Sequence, residues 1–306
     1  MLKSSKKILR QIIVGAILLL ISKLCPAQRS DTAFLESIKI SRAQSYFSLT
    51  GGIGNTEHLL FEGAIIPYFL LYTDRNKWGI DFSPKIVIRM YNEASCPVRT
   101  PSYMPRFTSY YRISDTGDYI SKVLFLSWCH HSNGQDGSFY NPDSTINILS
   151  GDFSTNMIEA GMSMLLFRPS YRPAPVYLKL SSEYHYRQCY SIHNLYGNFR
   201  INGEVKTTFY ITSFSKHFQG SKKEQFSIYS LLKMQWIADD FGGISPTDLR
   251  RLTISLQFAC HPVFLNQGSF YIQFYSGQDY YNIHFNRNIS FFRFGILGDL
   301  FNSTLP

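Results

Sequence analysis

Charge is scarce in this chain of 306 residues: Asp, Glu, Lys and Arg make up 17% of it, against roughly 25% in an ordinary soluble domain. Long hydrophobic runs are missing too. The longest uncharged apolar stretch runs from Ile12 to Ile21, about half of the roughly 20 residues that a membrane-crossing helix needs, so a polytopic helical membrane protein is excluded. No Cys-x-x-Cys pair occurs, so a structural zinc module is not expected. No linker rich in Pro, Gly or Ser divides the chain. What it has in excess is aromatic: 25 Phe and 21 Tyr outnumber the 30 Lys and Arg, a composition that disordered segments do not have.

The formal charge of +9 is misleading. Lys3, Lys6, Lys7 and Arg10 precede the apolar stretch, and Cys25-Pro26-Ala27 follows it, the basic, hydrophobic and small-residue order of a secretory signal. Cleavage is expected near Ala27, with a lipoprotein anchor at Cys25 as the alternative. Residues 1–27 hold five of the 30 basic residues and none of the 21 acidic ones, so the remainder, 28–306, carries only +4. A nucleic-acid partner is not expected from so small an excess. Cys96, Cys129, Cys189 and Cys260 remain after cleavage, and the sequence leaves their pairing open.

Nearly all of the remainder alternates with period two, the signature of half-buried strands. In Leu252-Thr253-Ile254-Ser255-Leu256-Gln257-Phe258 every even position is apolar. About twelve such runs follow one another as a single domain: 44–50, 58–72, 77–91, 103–114, 119–132, 156–168, 175–187, 204–215, 226–238, 250–260, 269–276 and 289–300; convincing helix is confined to the signal. Connections 73–76, 115–118 and 169–174 are brief, whereas 92–102, 133–155, 188–203 and 277–288 are longer. Short turns on one side, long loops on the other, an even strand count and abundant aromatics predict an all-β, 12-stranded antiparallel transmembrane β-barrel; a soluble β-sandwich is the alternative. In such a barrel the apolar face meets lipid and the polar face fills the lumen, so parity assigns direction.

That parity exposes an anomaly. Leu124, Leu126 and Trp128 share their face with His130 and Ser132, and the face of Ile158, Ala160 and Met162 also carries Asn156. A hydroxyl, an imidazole and an amide thus converge on a lipid-facing wall at the ends of two successive strands. Polar side chains beside lipid headgroups are the structural alternative; a nucleophile, a general base and a group orienting that base is the chemical one. His131 has lumen parity and reads as a packing residue. Glu159 and Arg89 also point inward, toward a polar network filling a narrow barrel. His185 and His284 have no partner legible in the sequence, and Lys222-Lys223 reads as a solvated turn.

At these residues the chain resembles a known family, the outer membrane phospholipases A of Gram-negative bacteria. The family signature His-x-Ser-Asn-Gly-Arg is similar to His130-His131-Ser132-Asn133-Gly134-Gln135, and its Ser-x-Asn element to Ser154-Thr155-Asn156. A Ser-x-Pro-x-Arg element matches Ser95-Cys96-Pro97-Val98-Arg99, and C-terminal elements match Tyr275-Ser276-Gly277, Phe285-Asn286 and Asp299-Leu300-Phe301. The resemblance implies hydrolysis of acyl esters of membrane phospholipids at the bacterial outer membrane, in a homodimer that uses Ca²⁺. Ser132 would be the nucleophile, His130 the base, Asn156 the orienting amide and Gly134 an oxyanion donor. Gln135 would lie in the calcium site, with Ser95 reaching the ion from the neighbouring protomer. Asp136, Asp143 and Asp152 supply further oxygen atoms in the long loop, with solvated loop acids as the alternative.

Three features depart from the pattern. Gln135 stands where the family has Arg, the loop 133–155 is longer and offers Asn147 as a competing third member, and the chain runs on through Asn302 to Pro306. The parity of Asn156 favours it over Asn147. A non-enzymatic pore or structural barrel is the rival reading, and a lipid A deacylase on a smaller barrel a third, which the strand count and the His-x-Ser order oppose.

Overall fold

In the computed structural model the described residues are 32–55, 57–73, 77–95, 97–115, 120–166, 176–186, 188, 192–213, 224–262, 265 and 268–298. The expected signal 1–27, Cys96, Cys189, Lys222-Lys223 and Asp299-Leu300-Phe301 lie outside them. Twelve strands follow one short helix, α1 (Thr32–Ser41). They are β1 (Ser45–Leu49), β2 (Leu59–Ile65 continued by Phe69–Thr73), β3 (Trp78–Phe82 continued by Lys85–Tyr91) and β4 (Ser102–Met104 continued by Arg106–Asp115). Then come β5 (Ile120–Ser132), β6 (Ser154–Leu166), β7 (Val176–Tyr186), β8 (Phe199–Ser213), β9 (Glu224–Ile237), β10 (Leu252–His261), β11 (Gly268–Gln278) and β12 (Asn288–Gly298).

Each strand pairs antiparallel with the next, and β1 pairs with β12, so the sheet closes into a 12-stranded barrel. Closure leaves no edge whose N–H and C=O groups would face lipid unpaired. No helix among the described residues is long and apolar enough to cross a membrane. The longer connections, among them 133–153 and 279–287, share one end, which marks it as the external one.

Parity holds along the wall. On β5, Leu124, Leu126 and Trp128 are exposed while Val123, Phe125 and Ser127 are buried. The lumen is correspondingly polar. Arg89 donates from Nε to Glu62 at 2.7 Å and from Nη1 and Nη2 to Asp279 at 2.9 Å each. Glu159 accepts from Arg106 Nη1 at 2.8 Å and from Ser181 Oγ at 2.6 Å, with Lys179 Nζ 2.7 Å away. Charges enclosed this way are tolerable only because every one meets an opposite charge or a hydrogen bond. A cavity of about 520 Å³ remains among these side chains.

The helix α1 was not expected from the sequence. Phe34 and Ile38, four residues apart and so on one helical face, bury fully against the inward side chains of Tyr110, Val123 and Phe125, while Glu36 and Lys39 pair at 3.2 Å on the exposed side. Lys206 Nζ, from β8, donates to the Ile40 carbonyl at 3.3 Å. The helix thus stoppers the lumen from the end opposite the long loops. At the external end Phe139 and Phe153, Ile192 and Tyr196, and Ile283 and Phe285 come from three loops and form an apolar cap.

The breaks in β2, β3 and β4 each contain a proline, Pro67, Pro84 and Pro105. The registers Phe69↔Phe82, Ile65↔Ile86, Phe82↔Phe107 and Ile86↔Tyr103 set the three level with one another. Proline has no N–H to give a ladder, which is why the pairing lapses there.

Candidate active site

The proline row ends at His130. Its backbone N–H donates to the Pro105 carbonyl at 3.1 Å, so the peptide groups of His130 face β4. Across β6, where His130 lies opposite Asn156, the pair is therefore of the kind without backbone hydrogen bonds, in which facing residues come nearest, about 4.5 Å between Cα atoms. The side chains meet: His130 Nδ1 and Asn156 Oδ1 are 3.0 Å apart. An amide oxygen only accepts, so Nδ1 carries the proton and Nε2 keeps its lone pair. The next residue on that face of β5 is Ser132, about 7 Å further along the strand, directly opposite Ser154. No hydrogen bond engages the Ser132 hydroxyl among the described residues.

The turn beyond Ser132 is built by Asn133, which is buried. Its Nδ2 donates to the Gly151 carbonyl at 2.8 Å, and its Oδ1 accepts from the backbone N–H of Gln135 at 3.2 Å and of Phe153 at 3.0 Å. This clamps both ends of the 133–153 loop and holds Gly134 at φ +67°, a left-handed conformation that costs other residues roughly 1–2 kcal/mol. Gly134 is exposed beside the Tyr103 ring, and nothing among the described residues accepts from its N–H. A free donor two residues from the Ser132 hydroxyl is the kind of group that can bind an oxyanion.

Two neighbours had no signal in the sequence. Trp128 Nε1 donates to the Tyr186 hydroxyl at 3.0 Å, and Tyr186 stands opposite Asn156. This clasp reaches from β5 to β7 across β6, just on the membrane side of the His130–Asn156 pair. Both residues are on the outer face by parity, but only the register brings them together.

The other candidates fall elsewhere. Asn147 spends its Nδ2 on the Ser138 carbonyl at 3.1 Å and Ser150 Oγ at 3.0 Å, while its Oδ1 accepts from the backbone of Leu149 and Ser150; it shapes the loop. His131 points inward and packs edge-on against Phe153, ring centroids 4.8 Å apart. His185, which the sequence left without a partner, bonds Glu183 Oε1 at 2.5 Å and Thr155 Oγ1 at 3.2 Å. His284 has Glu57 3.7 Å away, yet burial and the nearby Arg89 and Arg287 push it down to about 3, so it stays neutral.

For calcium, the relevant groups are hard oxygen donors at the external end. Ser95, Gln135 and Asp136 are all exposed there, and hydroxyl, carbonyl and carboxylate oxygens are what Ca²⁺ takes. Asp143 is engaged by Thr145, whose N–H and Oγ1 donate to it and hold its carboxyl below the usual range. No group of three or more His, Cys, Asp or Glu side chains gathers among the described residues. The donor set fits calcium in kind.

No protein-family model matches the chain, and no curated protein sequence does. Solved structures do. Outer membrane phospholipase A from Escherichia coli superposes with a TM-score of 0.54 at 12% identity over 84% of this chain and 92% of that one. An active-site mutant of the same protein gives 0.53 at 12% identity, covering 84% and 90%. The Salmonella typhi outer membrane phospholipase dimer with bound calcium gives 0.51 at 12% identity, again covering 84% and 90%. The chain thus has the barrel fold of outer membrane phospholipase A.

Proposed function

We propose that this chain is a phospholipase A of the bacterial outer membrane, cleaving acyl esters of glycerophospholipids at its lipid-facing wall. The observation that carries the reading is the His130–Asn156 hydrogen bond, made beside Ser132 on a surface where neither polar group helps the barrel. Asn156 fixes the tautomer in which His130 Nε2 takes the Ser132 proton. Ser132 Oγ then attacks the ester carbonyl, the Gly134 N–H stabilises the oxyanion, and the imidazolium returns its proton to the leaving alkoxide. Water, deprotonated by the same imidazole, releases the fatty acid. Ca²⁺, held by Gln135 with the partner's Ser95 in a homodimer, would supply positive charge near the oxyanion.

The rival pore is disfavoured by α1 and by the ionic network, which leave the lumen stoppered and crowded. The test is fatty-acid release by purified protein in mixed detergent–phospholipid micelles. Wild type with calcium is expected to be active, and Ser132→Ala to lose about a thousandfold or more. Chelation is expected to abolish turnover. An inactive wild type, or an active Ser132→Ala, ends the enzymatic reading.

A further inference from the structure

Lys85 is a cation without an anion. It shares the inward face of β3 with Val87 and Arg89 and lines the luminal cavity. Among the described residues neither a hydrogen bond nor an ion pair engages it, whereas Arg89, four residues along the same face, is held by two carboxylates. The charges that act most strongly on Lys85 are three cations, Lys233, Arg106 and Arg293, and one acid, Glu62. Glu62 is already committed. Its two oxygens accept from Arg89 Nε, Arg293 Nη1 and the hydroxyls of Tyr46 and Tyr280, which fills the roughly four lone-pair positions of a carboxylate. An enclosed charge without a counter-charge is strongly destabilising, so Lys85 calls for an anion that this chain does not supply.

The rest of the cavity has the same sign. Among the described residues, eight Lys and Arg line it against four Asp and Glu. Arg293 and Asp279 answer to Glu62 and Arg89 behind the lining, which leaves the excess of four unchanged. Position adds to number. Arg106 keeps 31% of its side-chain surface open while its partner Glu159 keeps 4%, and Lys233 keeps 45% while Glu204 keeps 12%. The carboxylates lie back in the wall and the cationic heads stand forward. Lys85 on β3, Arg106 on β4 and Lys233 on β9 thus present positive charge to one space from different parts of the wall, and a concave surface of one sign concentrates small ions of the other.

Volume and route narrow the ligand. A cavity of about 520 Å³ is too roomy for chloride to touch cations on separate walls. An anion bearing several oxygens can accept from all of them at once, and guanidinium and ammonium groups are the usual partners of phosphate oxygens. A lipid headgroup does not qualify, because these cations are inside the wall and acyl chains are outside it. The cavity reaches residues 41–44, between α1 and β1, where Ala43 is exposed. A soluble anion therefore exchanges beside the helix, at the end opposite the long loops.

We propose that the lumen is a binding site for a soluble tetrahedral oxyanion of the phosphate class, held by Lys85 together with Arg106 and Lys233. The site is separate from the outer wall and does not depend on ester hydrolysis there. Because the anion binds only the folded barrel, mass action makes folded stability rise with its concentration.

The experiment uses the full-length protein in detergent, with a chelator present and sodium chloride holding the ionic strength constant. Isothermal titration with inorganic phosphate is expected to show one saturable site in wild type and in Lys85→Arg. Affinity is expected to fall about tenfold or more in Lys85→Gln, the worth of one hydrogen bond to a charged group. Arg106→Gln, which leaves Glu159 with Lys179, is expected to weaken binding likewise, and Lys39→Gln, on the exposed side of α1, to bind as wild type does. The gel-mobility shift between folded and unfolded barrel selects the folded variants. Urea unfolding gives a second readout: phosphate raises the midpoint of wild type and not that of Lys85→Gln. No saturable binding to wild type, undiminished affinity in both Lys85→Gln and Arg106→Gln, or a midpoint shift that sodium chloride reproduces at the same ionic strength overturns the proposal.

Discussion

At the scale of single residues, the site depends on which amide holds His130. Asn156 accepts from Nδ1 at 3.0 Å, whereas both ends of the Asn147 amide are committed to its own loop. Asn156→Ala is therefore expected to cut kcat about a hundredfold, the usual worth of a well-placed proton-transfer group, with KM little changed. Asn147→Ala is expected to leave kcat intact. Steady-state lipolysis of the two variants decides the point, and loss of activity in Asn147→Ala alone would reverse the assignment. The sequence disclosed the face of these residues but not their meeting. Period two says that His130 and Asn156 both point outward; only the register across a 21-residue loop, 133–153, says that they are opposite.

Among the elements, α1 is the one the sequence concealed. Its ten residues show no period-two run, only Phe34 and Ile38 of its four large apolar side chains are buried, and a helix so short is not stable alone. It exists because the barrel interior supplies the surface on which it packs. Removing Thr32–Ser41 is expected to unstopper the lumen, so the shortened protein should conduct ions in planar bilayers where the full chain does not. Equal conductance in both would show that the lumen is sealed by other groups. The strands, by contrast, were legible because lipid outside and charge inside give each a sharp alternation. Their breaks were not: Pro67, Pro84 and Pro105 are far apart in the chain, and they form a row only when β2, β3 and β4 lie side by side. The start of β8 at Phe199, earlier than the 204–215 expected, was hidden because Arg200 and Asn202 face the lumen beside a Gly-Asn turn.

For the molecule as a whole, the interior charges set the stability. Arg89 is fully buried between Glu62 and Asp279, and Arg293 joins the same cluster. Truncating Arg89 leaves Asp279 without its cation and Glu62 with Arg293 alone, and Arg89→Met is expected to cost about 3–5 kcal/mol. Urea titration in detergent, followed by the gel-mobility shift between folded and unfolded barrel, measures this. A loss under about 1 kcal/mol would show the cluster to be hydrated.

The seam between first and last strands has a temporal meaning. β1 is five residues long and is pressed between Gly63 on one side and Gly295 on the other, where an added Cβ at Gly295 would lie 2.1 Å from the Phe47 carbonyl. Only residues 42–44 separate it from α1. The tether is so short that closing the wall through β1 brings the stopper to its seat. A barrel that has not yet closed at this seam is then also an unstoppered one.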